Sequence, residues 1–176
     1  MNIKKLMELR KQILSDVEKE FIDELIPAKL TEDEGNDVCI LNMILSGSDE
    51  EMGNASGEFF FLPTAPSDEV QYFVSLITLY ETIPVENISE LCAAIAGINT
   101  FVTTGGFGID FGSGSLIYKL VCPMSVYASE ETIRDNVDLF MGCAFQAISE
   151  FGYMLTEVCE GERNAESVIE VVNGEN

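Results

Sequence analysis

The chain has 176 residues and a mass of 19.4 kDa, and 47% of its residues are hydrophobic. That favours one domain able to bury roughly 70% of its unfolded surface. With 31 acidic residues against 9 basic ones, a net charge of −22 and no His, its general surface excludes nucleic-acid phosphates and an anionic membrane face, and no Ser-His-Asp triad, Cys-His dyad or His-ligated metal can be built.

Residues 1–19 hold five of the nine bases (Lys4, Lys5, Arg10, Lys11, Lys19) and three acids, a net +2, whereas the remainder has four bases and a net −24. Ile3, Leu6, Met7, Leu14, Val17, Phe21 and Leu25 recur at helical spacing, which predicts an amphipathic helix over 3–26 that Pro27 ends. Its apolar residues form no uninterrupted run, so a signal peptide is not expected. Thr31–Asp37 reads as an acidic connector, Val38–Leu45 as a short strand, 46–54 as a polar loop and Gly57–Leu62 as a second strand. After Pro63 and Pro66, Val70–Tyr80 reads as a third, longer strand, apolar on both faces.

Pro84 and Glu86 suit the first turn of a helix whose stripe is Ile88, Leu91, Cys92, Ile95 and Ile98, with Gly97 and Asn99 at its end. Phe101–Phe111 and Leu116–Cys122 form a hairpin around Gly112-Ser-Gly114. Ser129 is a candidate N-cap, with Glu130 and Glu131 in the first turn. Ile133, Val137, Phe140, Met141, Ala144, Ile148, Phe151 and Leu155 carry the last helix. The expected fold is α+β, an antiparallel sheet of about five strands with helices packed on it, in the order α-β-β-β-α-β-β-α. Residues 1–155 would form a single domain and 156–176 an acidic tail, with Val168–Val172 a small strand or disordered.

The five cysteines, Cys39, Cys92, Cys122, Cys143 and Cys159, are odd in number, lack CxxC spacing and mostly lie in apolar runs. Buried free thiols in a reducing cytoplasm are the expectation. Cys122, three residues from Lys119, has no base to make it a nucleophile. Gly105-Gly-Phe-Gly-Ile-Asp-Phe-Gly-Ser-Gly114 has Phe111 where a dinucleotide fingerprint needs Gly, lies between two strands and lacks the Lys of a phosphate loop, so a glycine turn is expected. The acidic runs Asp49-Glu50-Glu51 and Asp33, Glu34 and Asp37 have the oxygen donors for Mg²⁺ or Ca²⁺ but not the EF-hand spacing, and read as solvated loops. No metal or cofactor is expected.

The informative features are surfaces. Ala93, Ala94, Ala96 and Gly97 form a small-residue face that admits a second backbone, and Leu139, Cys143 and Phe145 widen the stripe of the last helix. Ala93, Ala94, Gly97, Leu139 and Cys143 are therefore the candidate homodimer interface. The seven methionines suit an adaptable binding face.

The element order resembles the type III secretion chaperone-like fold, and Val70–Phe151 resembles the YbjN-type family that shares it. The resemblance rests on the third strand ending near Tyr80, Ile-Pro-Val-Glu86 opening a helix, Ile98-Asn99 ending it, Gly106-Phe-Gly-Ile-Asp-Phe-Gly-Ser-Gly-Ser-Leu-Ile-Tyr-Lys119, and Ser129-Glu-Glu-Thr-Ile133. It implies a cytoplasmic, often dimeric protein that binds other proteins and catalyses nothing, holding a client segment against its sheet and first helix. The candidate client contacts are Leu6, Ile13, Val17 and Phe21 on the helix and Val38 and Ile40 on the first strand. An accessory subunit docking through the basic helix, and a carboxylate- or metal-dependent enzyme, are the alternatives.

Overall fold

The computed structural model describes residues 3–33, 38–45, 55–63 and 69–174. The fold is α+β, with four helices and a six-stranded open antiparallel sheet. The elements are α1 (Ile3–Asp23), β1 (Ala28–Asp33), β2 (Val38–Leu45), β3 (Ala55–Phe61), β4 (Val70–Tyr80), α2 (Ile88–Ile98), β5 (Gly106–Asp110), β6 (Ser115–Ser125), α3 (Glu130–Glu160) and α4 (Ala165–Asn173). The strand order is β1-β2-β3-β4-β6-β5, so β1 and β5 are the edges.

Two elements correct the sequence expectation. The first three residues of the supposed connector, Thr31–Asp33, belong to β1, which pairs with β2 from Ala28↔Met43 to Asp33↔Val38. Ala-Lys-Leu-Thr-Glu-Asp lacks the apolar run of a buried strand because an edge strand is half solvated. The supposed tail is helical, since α3 runs on to Glu160 and α4 follows. The β-branched run Val-Ile-Glu-Val-Val is held as a helix rather than a strand because Asn164 caps it, accepting a hydrogen bond from Ser167 N–H at 2.9 Å, and Gly174 closes it in the left-handed region. The predicted loop 46–54 lies outside the described residues.

Contacts divide the described chain into two units. The first takes in residues from 1–45, 56–76 and 120–142. Ile13, Leu14 and Val17 of α1 are buried there, as are Leu41 and Met43 of β2, Phe59 and Phe61 of β3 and Phe73 of β4. Leu120, Cys122 and Met124 alternate inward along β6 while Val121, Pro123 and Ser125 face out, the period of two that a half-buried strand requires. Leu25, placed on the helical stripe by its spacing, is instead 91% exposed. It occupies the left-handed region (φ 64°) past the end of α1, with Leu25 N–H on Ile22 O at 3.0 Å and Ile26 N–H on Phe21 O at 2.8 Å. That pair of bonds closes a helix but normally falls to Gly.

The second unit takes in residues from 46–55, 77–119 and 143–176. Leu91, Ala94, Ile95 and Ile98 of α2 are buried in it, together with Phe107, Tyr118, Phe151, Leu155 and Val168. Cys92 is exposed, not part of the buried stripe. Asn87 Nδ2 donates to Cys159 O at 2.9 Å, and Glu90 Oε2 accepts from Ala165 N–H at 2.9 Å, tying α4 to the start of α2. The glycine-rich motif is the expected turn. Gly112 N–H bonds Asp110 Oδ1 at 2.9 Å, which holds that carboxyl below its usual range, and Gly114 has φ 75°. Gly105 (φ 70°) lies where a Cβ would stand 2.6 Å from the Tyr118 hydroxyl, which itself donates to Thr104 O.

Candidate protein-binding surface

Helix α1 stands against β1 and β2 in the first unit. Side chains from its polar face tie it down. Lys11 Nζ donates to Glu32 Oε1 at 2.6 Å, and that hydrogen bond raises the lysine pKa. Arg134 of α3 reaches Glu20, Asp138 (3.1 Å) and Ile13 O (3.4 Å). Glu18 Oε1 accepts from Leu30 N–H at 2.6 Å. Ile44 N–H donates to Pro27 O at 3.0 Å, which fixes the alternation of the β1–β2 ladder so that the Leu30 backbone points away from β2. Glu18 thus occupies an outward donor of the edge strand, one way to discourage uncontrolled pairing.

The second unit treats its edge alike. Asn99 Oδ1 accepts from Phe107 N–H at 2.9 Å and Asn99 Nδ2 donates to Phe107 O at 3.0 Å. One amide side chain thereby stands in for a neighbouring strand on β5.

Between α1 and the strands lies a hollow of about 20 Å³, lined by Met7, Arg10, Lys11, Leu14, Val38, Cys39 and Phe61, room for one water-sized group. Arg10 Nε donates to Gln71 Oε1 at 2.9 Å, Nη1 donates to Leu62 O at 3.2 Å, and the guanidinium lies 5.3 Å from the centre of the Phe61 ring. Burial lowers the Arg10 pKa, and burial also pushes the Cys39 thiol up, leaving it less nucleophilic.

The structure sorts the predicted residues. Leu6, Phe21, Val38 and Ile40 are half-buried, and Val38 lines the hollow. Ile13 and Val17 are buried core residues, inaccessible to a client without unpacking α1. Of the candidate dimer residues, Ala93 is exposed. Ala94 is buried, and Gly97 is covered by Ile169 of α4, so that part of the small-residue face receives a helix of the same chain. Leu139, in the first unit, is 59% exposed. Cys143, in the second, lines a cavity of about 220 Å³ with Phe101, Thr104, Gln146 and Glu150. Arg10 and Gln71 were not singled out in the sequence as a pair, because they lie 61 residues apart.

Cys159 is buried, which raises its thiol pKa to about 12, and Cys122 is buried too; all five thiols are free. Among the described residues no cluster of three or more His, Cys, Asp or Glu is placed to hold a metal ion. Glu34, Asp37, Asp49, Glu50 and Glu51, and the side chain of Asp33, lie outside the described residues. No described helix is long and apolar enough to cross a membrane. No family model and no curated protein matches the chain.

Proposed function

We propose that the protein is a non-catalytic, cytoplasmic protein-binding module, chaperone-like or regulatory, that holds a client segment and acts as a homodimer. The reading accords with the resemblance to YbjN-type proteins. The observation that carries it is the hollow beside α1, lined by Met7, Arg10 and Val38, while Ile13 and Val17 are consumed by the core; Ile40 pairs with Thr31 on the face of β2 away from α1. The net +2 of residues 1–19, in a chain whose remainder is −24, also favours a segment carrying negative charge.

Groove filling is favoured over strand addition at Leu30, because Glu18 already takes that outward N–H. Docking of an accessory subunit by charge alone has less support. Lys4, Lys11 and Lys19 already pair with Glu8, Glu32 and Asp16. For the dimer, Ala93, Leu139 and the Cys143 cavity are the places left open.

The test is a photo-cross-linking residue placed at Val38, with exposed Val85 as control, in cells. The expected result is one or a few discrete adducts from position 38 alone. No adduct there, or equal adducts at both positions, contradicts the reading.

A further inference from the structure

The chain has three arginines, and two sit on carboxylates: Arg134 on Glu20 and Asp138, and Arg163 on Glu157. Arg10 does not. Its neighbours are the neutral amide of Gln71, the Leu62 carbonyl and the Phe61 ring, and no carboxylate of the described residues pairs with it. Gln71 is fully buried, with its amide nitrogen 3.5 Å from Ser125 O, so its oxygen is committed to Arg10. A guanidinium has five N–H donors, and these contacts use two of them. A partly desolvated cation without a counter-ion is costly, and it stands out in a chain with 31 acids.

We propose that Arg10 is a carboxylate-binding subsite, taking an Asp or Glu side chain of the client segment into the hollow beside α1. This rests on the reading of the protein as a client-binding module and adds a chemical preference to it. The size and walls of the hollow favour that occupant. A space of about 20 Å³ admits one oxygen of a carboxylate. Met7 and Val38, both half-buried, offer an apolar wall to the methylenes of a Glu side chain. Charge points the same way. The N-terminal segment is the part of the chain with excess base, and the acidic remainder repels polyanions.

The experiment follows the Arg10 Nε–H and the Cys39 amide by NMR in the full-length protein. The probes are the peptide acetyl-Thr-Val-Thr-Glu-Thr-Val-Thr-amide, its Gln counterpart, sodium acetate and sodium phosphate, at matched ionic strength. The Glu peptide is expected to bind about fivefold to tenfold tighter than the Gln peptide, with acetate shifting both signals saturably. Arg10→Gln is expected to erase the difference. If that variant does not fold, Arg10→Lys, which keeps the charge and loses the planar fork, is expected to shrink the preference, and the acetate titration of the unaltered protein stands by itself. Equal affinities for the two peptides, or a preference surviving Arg10→Gln, overturns the subsite while leaving the client-binding reading intact. Failure of all carboxylate probes to shift these signals, or phosphate outcompeting acetate, overturns it too. The cross-linking test at Val38 decides the broader reading separately.

Discussion

Replacing Gly97 with Ala tests whether α4 belongs to the folded structure. An ideal Cβ on Gly97 would stand 2.7 Å from Ile169 Cγ1 and 3.3 Å from its Cδ1, where ordinary contact begins near 3.4 Å. Overpacking of this kind costs about 1–3 kcal/mol, while the gain in helix propensity is up to about 1 kcal/mol. Gly97→Ala is therefore expected to destabilise by about 0–2 kcal/mol. In an Ile169→Ala background the obstructing atoms are gone, and the same change is expected to stabilise by roughly 0.5–1 kcal/mol. The double-mutant cycle then has a coupling of about 1–3 kcal/mol. Urea unfolding of the four proteins, with m-values compared to confirm a common unfolding reaction, measures it. Light scattering on the same samples is expected to give one oligomeric state for all four, because α4 covers Gly97 from within the chain. A coupling below about 0.5 kcal/mol, with Gly97→Ala stabilising equally in both backgrounds, refutes the packing of α4 on α2.

Asn99→Ala leaves Phe107 N–H and C=O without their side-chain partner and is expected to cost about 1–3 kcal/mol in chemical unfolding; a change within a few tenths of a kcal/mol speaks against the edge role. Leu25→Gly relieves a left-handed leucine whose side chain is almost wholly exposed, so it is expected to raise stability by roughly 1 kcal/mol, and a loss would mean that the side chain packs. Native thiol labelling near pH 8 is expected to modify exposed Cys92 first, with Cys122 and Cys159 protected until unfolding. Because burial raises the Cys159 pKa to about 12, the folded state favours the neutral thiol. Its stabilising effect is complete below the unfolded thiol pKa and is lost as pH rises through that range toward 12; a Cys159→Ala variant with an unchanged alkaline unfolding profile contradicts this.

Where sequence and structure agree, the local signal and the tertiary environment demand the same thing. Val70–Tyr80 matches β4 residue for residue, its long β-branched and aromatic run sufficing although burial alternates and only Val74 is buried on the second face, and Val38–Leu45 matches β2. Ser129 accepts from Thr132 N–H at 3.1 Å, the cap that its position announced. The failures share a cause, which is dependence on distant residues. β1 is a strand because β2 offers it a ladder, and α4 is a helix because Asn164 caps it and α2 receives it. The candidate surface was legible in part. The excess of base over residues 1–19 and Val38 pointed to its place, but which face of α1 enters the core followed only from packing, and it claimed Ile13 and Val17. The helix end at Asn99 and the glycine turn were legible, whereas the bridge from Asn99 to Phe107 was not, because it depends on where β5 lies.

The central claim, that the α1–β2 surface captures a protein segment, is tested most directly by co-purification from the cells that make it. Tagged full-length protein and a folded Leu6→Asp variant would be compared, with bound proteins identified and quantified by mass spectrometry. The account predicts one or a few partners near stoichiometric amounts with the unaltered chain, at least about tenfold depleted by Leu6→Asp, the order expected when a polar group enters an apolar contact. Partners recovered equally by both proteins, or none beyond background, would contradict it.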